Sequence, residues 1–307
     1  MTAAQRGRGV ALARAALAGN PSDGYGGAVL AVTLEAWSAQ AQADPSTELF
    51  VEPSSSLVRA TVDRFAGELE PAASATAVRW STSIPAGVGL GGSSALVIAT
   101  TRALCELYGA KLGEERLASF ALAVETEDLG IVAGLQDRVT QAFGGLVFMD
   151  FADRGSKGSG EPARHGLYEQ LRRELLPPLL IAWRADAGGH SGEVHASLRE
   201  RHRRGEEVVH QTIGELARAA REARAALLTG DVKRFCGCVD QSFDLRRRML
   251  DLDGRCVEMI ETARASGASA NYTGSGGAIV AVCPQPRRLA TVEQALRCTG
   301  CDVRQYP

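Results

Sequence analysis

Lysine is nearly missing from this 307-residue chain: Lys111, Lys157 and Lys233 are the only three, and arginine carries the remaining positive charge. A strong charge of either sign is missing too. Lys and Arg number 34 against 36 Asp and Glu, and the formal balance of −2 argues against a nucleic-acid or membrane surface built on bulk charge. No stretch reaches the roughly 18 apolar residues of a membrane span. The basic start has no leader-like apolar core, because Arg14 interrupts "VALARAALAG". A cytoplasmic protein without nucleic-acid or membrane partners is expected. The seven cysteines are odd in number and scattered through a chain too large to need disulfide staples, so reduced thiols are expected. Cys298-x-x-Cys301 lacks a second well-spaced pair and Cys236-x-Cys238 has the wrong spacing, so neither makes a case for a metal site.

The residues that are present suit a soluble globular protein, with 45% hydrophobic and 23% charged, and length enough for two domains or one large one. "GVALARAALAG" (9–19) reads as a strand ending in a turn at 20–24, and "AVLAVTLEAW" as its hairpin-like partner. Residues 56–69 read as a helix and "ATAVRWSTSIP" as a strand. Over 93–108, Ala95, Leu96, Ile98, Ala99, Ala103 and Leu104 share one helical face, with Gly109 as the stop. Further helices are expected at 114–129 and 137–143, the latter ended by Gly144-Gly145 and followed by the strand "LVFMDF". The polar, glycine-rich stretch 152–166 is the best linker. After it come a strand in "LLPPLLIAWRAD", long helices over 192–229, and a turn feeding a buried strand in "NYTGSGGAIVAVC". Strand runs and helix runs are partly segregated, which predicts an α+β class, with domains at 1–165 and 166–307.

The stretch "PAGVGLGGSSALV" (85–97) gives up its side chains and then becomes a helix. Glycines permit left-handed φ and close approach, and the first amides of a helix attract an anion, usually phosphate. A capped helix after a flexible turn would look similar. The stretch is not GxxxxGK[ST], since no lysine is near, and it is not GxGxxG, since no acidic ribose ligand is clearly placed. A phosphate cradle without lysine must balance charge through a divalent metal and arginine.

Pro85-x-x-x-Gly89-Leu90-Gly91-Gly92-Ser93-Ser94-Ala95 resembles the ATP-binding motif of the GHMP kinases. Two more motifs stand in the family's order: "ARAALAGNPSDGYGG" (13–27) resembles its N-terminal substrate motif, and "YTGSGGAIVAV" (272–282) its C-terminal glycine motif. Within the family, "LGIVAGLQDRVTQAFGGLVFMDF" (129–151), "SGEVHASLRER" (191–201) and "FDLRRRML" (243–250) are similar to segments of the glucuronokinases. The resemblance implies a two-domain fold, with an N-terminal ribosomal S5 domain 2-like α/β domain and a C-terminal ferredoxin-like α+β domain. It implies an ATP- and magnesium-dependent phosphotransferase acting on the anomeric hydroxyl of a sugar acid, with D-glucuronate giving glucuronate 1-phosphate.

The resemblance also assigns residues. Pro85, Gly87, Gly89, Leu90, Gly91, Gly92, Ser93, Ser94 and Ala95 would bind ATP, and Thr273, Gly274, Ser275, Gly276 and Gly277 would lie against the phosphates. Asp137 would be the acceptor-side carboxylate. Glu125, twelve residues earlier, would hold magnesium with the Ser93 hydroxyl. Ser94 competes with Ser93, and Glu127 and Asp128 lie close to Glu125. Arg14 would stabilise charge at the acceptor oxygen, and Asp23, with Asn20, Ser22 and Tyr25 in the same motif, would grip sugar hydroxyls. A uronate also needs a cation. Arg138, Arg184, His195 and Arg199 are all candidates, the last two four apart on one face if 192–203 is helical. The rival acceptors are another sugar (galactose-type or heptose 1-phosphorylation) or a mevalonate-type alcohol. The latter is disfavoured because Asn271 and Tyr272 stand where a lysine is common. A catalytically silent sugar sensor and a homodimer both stay open.

Overall fold

The computed structural model describes residues 6–152, 166–188 and 191–306, the side chains of 191–195 excepted. The expected linker at 152–166 falls outside these residues except at its two ends. In chain order the first elements are β1 (Gly7–Ala18), β2 (Ala28–Pro45), β3 (Phe50–Glu52), α1 (Ser56–Glu68), β4 (Thr76–Thr82) and α2 (Gly92–Tyr108). Then come α3 (Glu114–Ala123), α4 (Gln136–Phe143), β5 (Leu146–Asp150), β6 (Leu167–Leu171), β7 (Leu179–Trp183), α5 (Ser191–Arg203) and α6 (Glu207–Thr229). The last are α7 (Val232–Met249), α8 (Gly254–Ala265), β8 (Ser269–Tyr272), β9 (Ala278–Val282), α9 (Leu289–Cys298) and β10 (Asp302–Tyr306). β1 pairs with β2, as the turn between them predicts. No helix among the described residues is long and apolar enough to cross a membrane.

The chain folds into two compact units, each discontinuous in sequence. The first comprises Met1–Ala13, Thr33–Pro85 and Gly91–Gly144. In it the second half of β2 runs antiparallel to β4 (Ala39 opposite Thr82), and β3 joins β4 in parallel. α1 starts where the Ser55 hydroxyl accepts the Val58 amide, an N-cap bond of 3.3 Å. α2 carries its predicted apolar face inward and ends at Gly109 with φ +70, a conformation that costs glycine little. Phe65 and Phe120 meet edge to face at 6.3 Å in this core. β1 lies directly on α2: a Cβ at Gly9 would fall 1.9 Å from the Ala99 carbonyl oxygen, which is why glycine stands there. The helix expected over 114–129 changes pitch at Val124, where residues Val124–Asp128 form a π-helical turn.

The second unit comprises Arg14–Val32, Ala86–Leu90 and Gly145–Pro307. The first half of β2 pairs antiparallel with β5, and β5 with β6, a strand the sequence pattern did not reveal. A separate antiparallel sheet has the order β10-β7-β9-β8. With α8 and α9 the chain order is β7-α8-β8-β9-α9-β10, the ferredoxin-like arrangement expected, and α5, α6 and α7 are inserted after β7. β7 begins only at Leu179, because the two prolines before it offer no N–H to a ladder. Leu180, Phe243, Met259, Ile260, Ile279, Val292 and Leu296 form the core between this sheet and its helices. Each such side chain contributes about 1.5–3 kcal/mol on burial. α6 and α7 pack along one another, with Leu216, Leu245 and Met249 in a second apolar cluster.

Candidate active site

In the first unit the glycine stretch ends at Gly91, φ +74, and α2 begins with the Ala95 amide bonded to the Gly91 carbonyl at 3.1 Å. The amides of 92–94 precede that first bond, so helix geometry leaves them without an intrahelical acceptor. The structure separates the two serines. Ser94 is buried and donates to the Gly91 carbonyl at 3.2 Å, whereas Ser93 is exposed and donates to Glu125 Oε1 at 2.8 Å. Pro85 and Gly92 are half-buried, and Ala95 is buried. Glu125 is 0% exposed and sits in the π-helical turn, a geometry frequent at functional sites. Its neighbours Glu127 and Asp128 are taken by Arg64 at 2.7 and 2.6 Å, which settles which carboxylate of the three faces Ser93.

α4 supplies the next two groups. Arg138, a candidate cation for a sugar carboxylate, is 4% exposed and forks onto Glu125 Oε2 through Nε at 2.7 Å and through Nη2. Its Nη1 donates to the Gly134 carbonyl at 2.8 Å and lies 3.7 Å from Asp137 Oδ2. One guanidinium thus stands between two carboxylates and offsets their repulsion, while the Asp137 side chain keeps 17% exposure. Gln141, which sequence reasoning passed over, donates to the carbonyls of Leu12 (2.9 Å) and Gly91 (2.8 Å) and so pins the end of the glycine stretch. Ser93 Oγ and the Glu125 carboxylate are hard oxygen donors side by side, a pair suited to a small divalent cation that takes its other ligands from phosphate and water.

In the second unit Arg14, 4% exposed, donates through Nη1 to the carbonyls of Gly89 at 2.8 Å and Thr273 at 2.5 Å. Arg14 N–H also donates to the carbonyl of Leu90, itself buried, at 3.0 Å. Thr273 Oγ1 donates to the Gly89 carbonyl at 3.0 Å. The two glycine motifs are therefore in backbone contact. A Cβ at Gly89, φ +74, would lie 2.9 Å from the Gly276 carbonyl oxygen, and one at Gly274 would lie 2.4 Å from the Gly89 carbonyl oxygen. Gly277 donates its amide to Cys256 Sγ at 3.2 Å. Ser275 and Gly276 are half-buried and Gly87 is exposed.

The residues of the turn at 20–25 divide by their hydrogen bonds. Asn20 donates to the Tyr272 carbonyl at 3.3 Å and accepts from Asn271 at 3.1 Å; Ser22 donates to the Ala28 carbonyl at 2.9 Å. Asn20 thereby ties the turn to β8, and Ser22 closes it from within. Asp23 lies in the first turn of the 3₁₀ segment Ser22–Tyr25, and its field reaches Tyr25. Burial raises the Tyr25 phenol pKa, Arg199 lowers it and Asp23 raises it, so these three groups share one neighbourhood. Arg199 is exposed on α5. His195 lies in the same helix, with its side chain outside those described. Arg184 forks onto Asp186 at 3.1 and 3.0 Å and also donates to the Thr299 carbonyl at 3.1 Å.

Comparison with known proteins gives a consistent result. The family model described as "GHMP kinases N terminal domain" matches residues 56–145. Glucuronokinase 1 of Arabidopsis thaliana is 34% identical over 325 residues, covering 94% of this chain and 88% of the relative. Among solved structures, Streptococcus pneumoniae phosphomevalonate kinase in complex with phosphomevalonate and AMPPNP superposes with a TM-score of 0.79 at 15% identity, covering 97% of this chain and 99% of that one. L. major mevalonate kinase in complex with R-mevalonate superposes with a TM-score of 0.75 at 17% identity, covering 100% and 98%. At these identities the structural matches establish the fold.

Proposed function

We propose a reaction from one premise: this chain belongs to the GHMP kinase family, and it is a phosphotransferase with an alcohol acceptor. Its acceptor is a sugar acid, D-glucuronate, phosphorylated by ATP on the anomeric hydroxyl to give glucuronate 1-phosphate. The observation that carries this reading is the 34% identity to a glucuronokinase along 94% of the chain. The side-chain geometry is consistent with it.

Ser93 Oγ and Glu125 Oε1, 2.8 Å apart, fit Mg2+, a hard ion bound by few protein oxygens, and are the residues we assign to hold it. Bound there, the ion would neutralise charge on the β- and γ-phosphates. The amides of 92–94 hold phosphate oxygens at the head of α2, replacing the lysine that the glycine stretch lacks. Asp137 accepts the proton of the attacking hydroxyl. Arg138 keeps Glu125 in place and steadies Asp137 as the anion that this proton transfer requires. Arg14 is a positioning residue: by gripping the carbonyls of Gly89 and Thr273 it sets the spacing of the two glycine motifs. Asp23 accepts hydrogen bonds from sugar hydroxyls, while Asn20 and Ser22 keep its turn in shape. Catalysis then comes from positioning and charge neutralisation rather than from a covalent intermediate.

The test is a substrate panel with ATP and Mg2+: D-glucuronate, D-galacturonate, glucose, galactose, a heptose and mevalonate, scored by ADP release and by the position of the new phosphate. D-Glucuronate is expected to give the highest kcat/KM, with phosphate on C1. Rapid turnover of a neutral sugar with none of any uronate rejects the assignment.

A further inference from the structure

α7 places its apolar stripe at Phe235, Val239, Ser242, Phe243 and Met249, and on that stripe, at position 246, stands an arginine. Arg246 is 1% exposed and ranks among the largest fully buried side chains. Its guanidinium carbon lies 5.1 Å from the centroid of the Tyr272 ring. Nε and Nη1 are buried without a hydrogen-bond partner, and among the described residues no carboxylate forms an ion pair with this side chain. Every other cation considered for the sugar carboxylate whose side chain is described is either engaged by an acid of the protein, as Arg138 and Arg184 are, or exposed, as Arg199 is.

A buried guanidinium with unmet donors is costly, and a cation–π contact with a neutral phenol repays only part of that cost. Burial lowers the Arg246 pKa to about 10; Tyr272 opposes that shift, Arg14 adds to it, and Cys256 and Asp23 oppose it. The group is still a cation at neutral pH. The charged groups that act on it include a second guanidinium, Arg14, and the carboxylate of Asp23, on the turn assigned to sugar hydroxyls. Among the described residues, neither is in an ion pair or hydrogen bond with Arg246. The missing group is an anion. The planar fork of arginine matches a carboxylate or a phosphate oxygen pair.

We propose that Arg246 receives the carboxylate of the acceptor, so that the substrate supplies the counter-charge the protein omits. This rests on the sugar-acid reading above and adds its specificity determinant. A neutral hexose leaves the guanidinium desolvated and unpaired, so the same residue both attracts the acid and discriminates against the neutral sugar.

The decisive variant is Arg246→Met, which removes the charge but keeps an unbranched chain of similar length. Replacing a buried charge with an apolar group is compatible with folding. The ratio of kcat/KM for D-glucuronate to that for glucose should fall roughly 100-fold, mainly through KM for the acid, as the loss of charge-assisted hydrogen bonds predicts. Calorimetry without nucleotide should show the same loss of D-glucuronate binding, and Arg246→Lys should restore part of it. An unchanged ratio overturns the proposal. So does a rise in KM for ATP with KM for the acid unchanged, which would make a nucleotide phosphate the anion. If Arg246→Met does not fold, crystals of the wild-type enzyme with D-glucuronate decide: carboxylate oxygens within hydrogen-bonding distance of Arg246 support the proposal, and a carboxylate held by another cation overturns it. A wild-type enzyme that ignores uronates removes the sugar-acid reading and this one together; uronate turnover with an unaltered Arg246→Met ratio removes this one alone.

Discussion

The forked pair of Glu125 and Arg138 combines stability and chemistry in one contact, and substitution can separate the two. The side chains are 0% and 5% exposed. Truncating either partner strips the other's buried charge of its forked partner, leaving Arg138 beside Asp137 at 3.7 Å and Glu125 beside the Ser93 hydroxyl, at a cost that approaches about 3–5 kcal/mol. Replacing both with apolar groups of similar volume removes both desolvation penalties, and such exchanges are neutral or stabilising by about 1–4 kcal/mol. Glu125→Leu and Arg138→Met should therefore each lower the melting temperature by about 10 °C, taking roughly 2–4 °C per kcal/mol. The double variant should melt close to wild type. Activity should follow a different order. Arg138→Met keeps Glu125 and should retain some transfer with an increased requirement for Mg2+, whereas both variants lacking Glu125 should be nearly inactive despite the recovered stability of one. Circular-dichroism melts beside an ADP-release assay over a Mg2+ titration measure both. A double variant that melts no higher than its less stable parent would refute the reasoning, because the cost could not then lie in a stranded charge.

Asp137→Asn should lower kcat by about 10²–10⁴-fold, as loss of a general base does, while the melting curve barely moves. Unchanged transfer in a single-turnover assay would contradict the assignment. Gly89→Ala forces a left-handed φ of +74 on a residue with a Cβ, at about 1–2 kcal/mol, and drives that Cβ to 2.9 Å from the Gly276 carbonyl oxygen. Stability should drop by at least that much in urea melts, and KM for ATP should rise; a silent substitution would mean the two glycine motifs are not in contact. His202 stacks on His210 at 4.0 Å, and its pKa is lowered, first by burial and then by His210. Stability from its neutral form is complete above the unfolded value near 6.5 and is lost as pH falls below it. The melting temperature should therefore decline from pH 7.5 to 5.5, and His202→Phe, which keeps a ring against His210, should flatten that decline. Equal slopes would dismiss the histidine pair as the cause.

Motifs that depend on backbone were legible from the chain. Glycine at 89, 91 and 109 announces left-handed turns whatever the tertiary setting, and the apolar face of α2 needs only its own periodicity. The prolines at 177 and 178 hid where β7 begins, and β6, half-buried along most of its length, offers no clear alternation. Side-chain partners were harder to read. Nothing local shows that Asn20 ties its turn to β8, that Arg138 belongs to Glu125, or that Arg14 grips carbonyls of distant residues. The resemblance already points to Glu125, but Arg64, which occupies Glu127 and Asp128, lies on another helix and leaves no trace near them in the sequence. The segment "FDLRRRML" carries a finer signal: Arg246 follows Phe243 by three and precedes Met249 by three, so it falls on the buried stripe, where a charge calls for an explanation.

The grip of Arg14 also bears on how the protein is made. Its two carbonyl partners stand 75 and 259 positions downstream. A ribosome delivers the first early, but Thr273 is joined 259 residues after Arg14. A chain interrupted before that point already contains the glycine loop and Asp137, yet has nothing to fix Arg14 at its second acceptor. Synthesis through Thr273 is thus a condition for fixing Arg14 between the two glycine motifs, and a product terminated before it should be idle rather than a poorly controlled consumer of ATP.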